Sequence, residues 1–209
     1  MIISVAIPVT KSRFVSKAIQ NCLDQSFEDF ELIIVNNAKN ADEKRRIRNI
    51  ITNYKDERIR YYENDEQLDM IPNWNRCLTL ANGKFFTILC DDDKWNEEFL
   101  KDLYSLTIKY PNYHVFRCRS GIIDEDDNLI SVTEGAPEVQ GILDFIYSRI
   151  SGKNHFFLSD FLLKSSVLKS LGGYIDLPSG WGSDDLTYYN LGIKNGIITS
   201  QAINFFYRN

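Results

Sequence analysis

Over its first ninety residues the chain alternates short β-branched runs with amphipathic helical segments, and this rhythm restricts the fold more than any other property. The run "IISVAIPV" (2–9) is followed by "SRFVSKAIQNCLDQS", where Phe14, Val15, Ala18, Ile19, Cys22 and Leu23 recur at helical spacing. "FELIIVNN" then predicts a second strand ending near Asn36, and "NADEKRRIRNIITNY" a second helix with acids in its first turn and bases behind them. "RIRYYEN" reads as a third strand. "MIPNWNRCLTLANG" reads as a helix with Pro72 near its start and Gly83 past its end, and "KFFTILC" as an apolar fourth strand stopping at Asp91. Strand, helix, strand in this order calls for an α/β fold: a mostly parallel central sheet, Rossmann-like, with helices on both faces.

Beyond residue 90 the pattern changes. Residues 96–110 are helical, and "YHVFRCRSGIIDEDDNLISV" predicts two strands joined by a turn at 126–128. Residues 135–152 predict a loop and one amphipathic helix, and "HFFLSDFLLKSSVLKSLGGY" ends in a Gly172-Gly173 helix stop. "SDDLTYYNLGIKNG" is a last helix, closed by Gly196, before the final strand "IITSQAINFFY". No repeat or linker interrupts the chain, so one domain over 1–209 is expected, with a division near residue 120.

Composition narrows the function classes. The 24 Lys and Arg against 29 Asp and Glu leave a net charge of −5, which removes the footprint of a nucleic-acid binder. Cys22, Cys77, Cys90 and Cys118 lie far apart among apolar residues without a CxxC pair, which reads as the reduced thiols of a cytoplasmic protein. No apolar stretch reaches the roughly 18 residues of a membrane span, and the N-terminus lacks the basic region of a signal peptide.

Ligands of parallel sheets bind at the carboxyl ends of the strands, which here carry Pro8, Val9 and Thr10, then Asn36 and Asn37, then residues 90–93. Asp91, Asp92 and Asp93 leave an apolar strand together, and hard oxygen ligands so arranged suit Mg²⁺ or Mn²⁺. The alternative is a solvated cap for the helix that follows. Asp184 and Asp185 open the last helix after "PSGWG", where either a general base or a helix cap is chemically reasonable. Trp181, beside them, offers an indole face for stacking, or serves as packing. "PVTKSRF" holds no glycine, against a phosphate loop of the nucleotidyltransferase kind.

In order, "SVAIPV", "QSFEDFELIIVNN", "NWNRCLTLANGKFFTILCDDDKW" and "GGYIDLPSGWGSDDLTYYNLGIKNG" resemble the family 2 glycosyltransferases of the GT-A fold, over nearly the whole chain. The resemblance implies an inverting transferase that moves a sugar from a nucleoside diphosphate sugar, a UDP-sugar in the first place, to a glycan or lipid-linked acceptor in surface polysaccharide synthesis. It assigns Asp92 to the Mn²⁺ or Mg²⁺ ion, Asp91 to the ribose or the ion, and Asp93 to their support. Asp185, with Asp184 beside it, is implied as the base, and Pro8 to Thr10, Asn36, Asn37 and Asn75 as contacts of the nucleotide. Trp181 and Gly182 fall to the acceptor. The half up to residue 120 is implied to hold the donor and residues 121–209 the acceptor, with work at the inner face of a membrane and a further segment beyond "FFYRN" folding over the donor.

Three departures bear on this. Asn36-Asn37 stands where the family has two aspartates, Cys90 takes the first place of the acidic triplet, and Asp184 replaces a glutamate. Asn36, Asn37 and Cys90, standing where acids are usual, leave a catalytically silent nucleotide-sugar-binding module as the alternative, while Asp184 changes only the reach of its carboxylate.

Overall fold

The computed structural model describes all residues 1–209. Its opening elements follow the expected alternation: β1 (Ile3–Val9), α1 (Val15–Leu23), β2 (Phe30–Asn36), α2 (Ala41–Ile51), β3 (Ile59–Glu63), α3 (Met70–Leu80) and β4 (Phe85–Ile88). The start of α2 has a local cause. The Glu43 N–H donates to the Asn40 side chain at 2.8 Å, capping α2, whose first turn carries Asp42 and Glu43. The second half comprises β5 (Lys94–Trp95), α4 (Phe99–Lys109), β6 (Val115–Ile123), β7 (Leu129–Val132), β8 (Val139–Gln140) and α5 (Ile142–Ile150). A 3₁₀ turn at Leu158–Asp160 then leads to β9 (Phe161–Lys164), α6 (Ser165–Ser170), α7 (Ser183–Gly192) and β10 (Ile197–Arg208).

All ten strands form one sheet, with the path β3-β2-β1-β4-β9-β6-β10-β5 and with β7 and β8 attached to β6 and β10. The long pairings, β1 with β2 and β6 with β10, are parallel, as are β1–β4 and β2–β3. Short β9 runs antiparallel between β4 and β6. β6 spans the division expected at residue 120, so the two halves share a strand.

Alternation along the strands builds two cores. Ile3, Val5, Ile7 and Val9 of β1 pack with α1, α2 and α4, whereas Ala6, with Ile33 and Val35 of β2, packs with α3, α5, α6 and α7. The strand order reverses at β1, which has β2 on one side and β4 on the other. Such a reversal leaves a crevice beyond the carboxyl ends of the two strands that part there, β1 and β4.

Candidate active site

Thr10 leaves β1 and Asp91 leaves β4, and the two meet at that crevice. The Thr10 N–H donates to Asp91 Oδ2 at 2.7 Å and the Lys11 N–H to the same oxygen at 3.1 Å, while Oδ1 is left over. Burial raises the Asp91 pKa, and the two backbone donors act against it. Asp92 is exposed beside it. A cavity of about 200 Å³ opens here, lined by Lys11, Arg13, Phe14, Asp91, Asp92 and Arg208 among others.

Asp93 turns the other way. It is 5% exposed; the Arg208 N–H donates to its Oδ1 and the Ser159 hydroxyl to its Oδ2, both at 3.1 Å. Burial pushes its pKa up to about 7, against the two hydrogen bonds and with the charge of Asp92. It supports the loop from inside and does not face the cavity. Ser159 also accepts from the Cys90 N–H at 3.0 Å, and its carbonyl accepts from the Trp95 indole at 2.8 Å, so the 3₁₀ turn is a bracket under the acidic loop. The acids do not cap the next helix, since α4 starts at Phe99 without a side-chain cap.

The second acid pair sits in the first turn of α7. Gly182, at φ +74°, makes the left-handed bend from which the helix starts, and no side chain caps it. Gly182 thus contributes a backbone conformation, which places Asp184 and Asp185 at an opening shared with Trp74, Arg149, Trp181 and Tyr207. Arg149 Nε lies 3.4 Å from Asp185 Oδ1. Burial raises the Asp185 pKa, the Arg149 charge lowers it and Asp184 raises it further. Trp181 is 87% exposed, so it is not a core residue.

Tyr207 and Arg208, neighbours on β10, connect the two acid groups. Tyr207 lines the opening of Asp184 and Asp185, and its phenol pKa is raised by burial and then by the charges of Asp93 and Asp92. Arg208 is 8% exposed and lines the Asp91 cavity. Its Nε donates to the Asp92 carbonyl at 2.7 Å, its Nη1 donates to the Asp124 carbonyl at 2.8 Å, and its Nη2 pairs with Asp127 at 2.6 Å.

Several expected nucleotide contacts lie elsewhere. Pro8 and Val9 are buried within β1, leaving Thr10 as the residue of that segment that reaches the crevice. Asn36 is fully buried: its amide donates to the Lys44 carbonyl and the Tyr61 hydroxyl, and its Oδ1 accepts from the Ala38 N–H. Asn37, 2% exposed, donates to the Leu68 carbonyl and accepts from the Asn64 amide and the Leu68 N–H. Both amides are satisfied by the protein and brace the loops after β2 and β3. Asn75 exchanges two hydrogen bonds with the Tyr174 backbone, 2.9 and 2.7 Å, and so ties α3 to the turn after α6. The residues of α3 that line the opening are Met70 and Trp74.

The motifs did not point to Arg149, Ser159 or Arg208. Arg149 carried only the signal of a basic residue in a last helical turn, and Arg208 only its place at the end of an apolar strand.

The family model for glycosyl transferase family 2 matches residues 4–164. The chain belongs to that family. A GalNAc(5)-diNAcBac-PP-undecaprenol β-1,3-glucosyltransferase of Campylobacter jejuni is 30% identical over 180 residues, which is 80% of this chain and 53% of that protein. The chain therefore spans about half the length of this curated relative. Among solved structures, residues 1–349 of Staphylococcus aureus TarS in complex with UDP-GlcNAc align at a TM-score of 0.76 and 17% identity, over all of this chain and 59% of that one. The mannosyltransferase PcManGT of Pyrobaculum calidifontis, in complex with GDP-Man and Mn²⁺, aligns at 0.69 and 18%, over 98% and 56%. At these identities the structural likeness shows the fold, that of GT-A glycosyltransferases.

No helix is long and apolar enough to cross a membrane. All four cysteines are free thiols, with Cys22, Cys77 and Cys118 buried.

Proposed function

We propose that this family 2 domain transfers a sugar, with inversion, from a nucleoside diphosphate sugar to a hydroxyl of a glycan or lipid-linked acceptor. One observation carries the reading: Asp91 and Asp92 at the switch point of the sheet and Asp184 and Asp185 on α7 open to either side of Tyr207 and Arg208. A donor diphosphate seated on the first pair then presents its sugar toward the second.

In this reading Asp185, with Asp184 beside it, takes the proton from the acceptor hydroxyl. The acceptor oxygen forms its bond to the anomeric carbon on the face opposite the diphosphate, which leaves with the electron pair of the broken C–O bond. Position in the first turn of α7 favours the ionised carboxylate. Trp181, which is exposed, presents an aromatic face to the acceptor sugar, while Trp74, buried and packed against Tyr174, lines the opening from the core side.

The donor set suits a hard divalent cation. Exposed Asp92 and the Oδ1 left over on Asp91 are two carboxylates of the kind that hold Mg²⁺ or Mn²⁺ together with substrate phosphates, while no group of three ligating side chains converges. Held there, such an ion would supply positive charge to offset that of the departing diphosphate. A uridine donor is carried by the family resemblance of the motifs, since the fold itself is shared alike with a UDP-GlcNAc complex and a GDP-Man complex. A lipid-linked acceptor, and work in the cytoplasm at the inner membrane face in polysaccharide synthesis, are favoured by the undecaprenol-linked substrate named for the Campylobacter relative.

The test is thermal stabilisation by UDP, GDP, CDP and dTDP, with and without Mn²⁺, followed by transfer assays. A diphosphate at 100 times its dissociation constant adds about 2.7 kcal/mol. One diphosphate is expected to stabilise the wild type and not Asp92→Ala. Asp185→Asn is expected to bind as the wild type does and lose transfer; retained transfer overturns the assignment of the base. Binding without transfer by the wild type points to a silent module.

A further inference from the structure

Arg149 belongs to neither acid group, yet its side chain is held with unusual care. Its guanidinium lies 4.2 Å from the centroid of the buried Phe156 ring, which stacks on Phe145 at 4.9 Å and 17°. Phe145 stands on α5, the same helix as Arg149, so helix, ring stack and guanidinium form one rigid unit. That unit aims Nε at Asp185 Oδ1, 3.4 Å away, a buried oxygen that accepts no hydrogen bond. Arg149 and Asp185 are both partly buried, at 29% and 24% exposure, and both face the opening that holds Trp181.

We propose that Arg149 is the positioning residue of this site, holding the Asp185 carboxylate aimed into the acceptor opening and acting on the reaction only through it. The proposal rests on the reading of Asp185 as base. The groups facing Asp185 are few: Arg149 from α5, Asp184, Tyr188 and Tyr189 from its own helix, and Tyr207 from β10 across the opening. Arg149 is the one cation among them, opposed by Asp184 and by burial. Its stack on Phe156 keeps it in place when a substrate enters. Without it the carboxylate loses both its aim and the charge that keeps it ready to accept a proton.

The experiment is a carboxyl-carbon NMR titration of the full chain labelled at aspartate, with the Asp185 signal assigned by its absence in Asp185→Asn. Arg149→Met is expected to raise the Asp185 midpoint by about half a pH unit or more, and Arg149→Lys by less. Arg45→Met, whose partner Asp42 is an exposed surface acid, is expected to leave it unchanged. An unmoved midpoint in folded Arg149→Met, with or without a lower melting temperature, overturns the proposal and leaves a structural tie between α5 and α7. If Arg149→Met does not fold, Arg149→Gln supplies the neutral variant and Arg149→Lys the charged one, with the same criterion. This readout needs no substrate. Retained transfer by Asp185→Asn sinks the base assignment and with it any effect of Arg149 on the reaction, even where the midpoint moves, whereas an unmoved midpoint sinks the role of Arg149 with the base assignment left standing.

Discussion

Arg208→Met removes the strut that fixes the acidic loop while keeping most of the apolar stem. Arg208 donates to three backbone carbonyls, of Asp92 at 2.7 Å, Asp124 at 2.8 Å and Glu125 at 3.2 Å, pairs with Asp127 at 2.6 Å, and lies 4.7 Å from the Phe14 ring centroid. Hydrogen bonds from a charged donor are each worth about 1.5–3 kcal/mol. Asp127 keeps Lys17 at 3.4 Å and Lys94 at 3.6 Å, and water reaches part of the exposed carbonyls, so the losses do not add in full. The expected net cost is about 3–5 kcal/mol, the range for breaking a buried charged pair. At about 2–4 °C per kcal/mol for a chain of this size, the melting temperature falls by about 10 °C. Guanidinium unfolding followed by circular dichroism measures the first quantity and a thermal scan the second. Arg208→Lys keeps the charge without the planar fork and is expected to fall between Met and wild type. A loss below 1 kcal/mol in Arg208→Met, or a Lys variant as stable as wild type, refutes the strut.

Other expectations follow from the same loop and its supports. Asp93, ordinary at 3.8 in an unfolded chain, is pushed up to about 7 by burial, so its contribution is fully present below pH 4 and is lost as pH rises through 7. Three units at 1.36 kcal/mol each make about 4 kcal/mol, so the stability of Asp93→Asn relative to wild type should climb by that order between pH 4 and pH 7; a difference that stays flat across urea melts in that range removes the shift. At Gly83, an added Cβ meets the Ser4 nitrogen at 2.5 Å and the Ile3 carbonyl carbon at 2.7 Å, both backbone. Gly83→Ala should therefore cost about 1–3 kcal/mol in chemical denaturation, and a cost near zero means the β1 and α3–β4 segments can part freely.

Much of the fold is legible in the order of residues. Period-two alternation in "ISVAIPV" and "FELIIVN", and helical spacing between them, are properties of neighbours in the chain, so they survive without knowledge of anything remote. The acids likewise stand at strand and helix ends because those positions follow from the same periodicity. β9 was not separable in this way: the apolar "FLL" of Phe161–Lys164 is too short to tell strand from helix, and becomes a strand because β4 and β6 leave a gap with unpaired backbone on both sides.

Where a side chain at such an end turns is a different matter, decided by groups far away in sequence. Three consecutive aspartates look alike on the page. Asp91 is drawn to the amides after β1, Asp93 to Ser159 and the last strand, and Asp92 is left to solvent. Asn36 and Asn37 stand at a strand end as the motif requires, yet partners from α2, β3 and the loop before α3 draw both amides inside. The amino-acid sequence by itself determined the layers of the fold and where its carboxylates emerge, because periodicity acts over a few residues. Only the tertiary structure decided which of them face the cleft, because a buried polar group must find its partner wherever the fold brings one within about 3 Å.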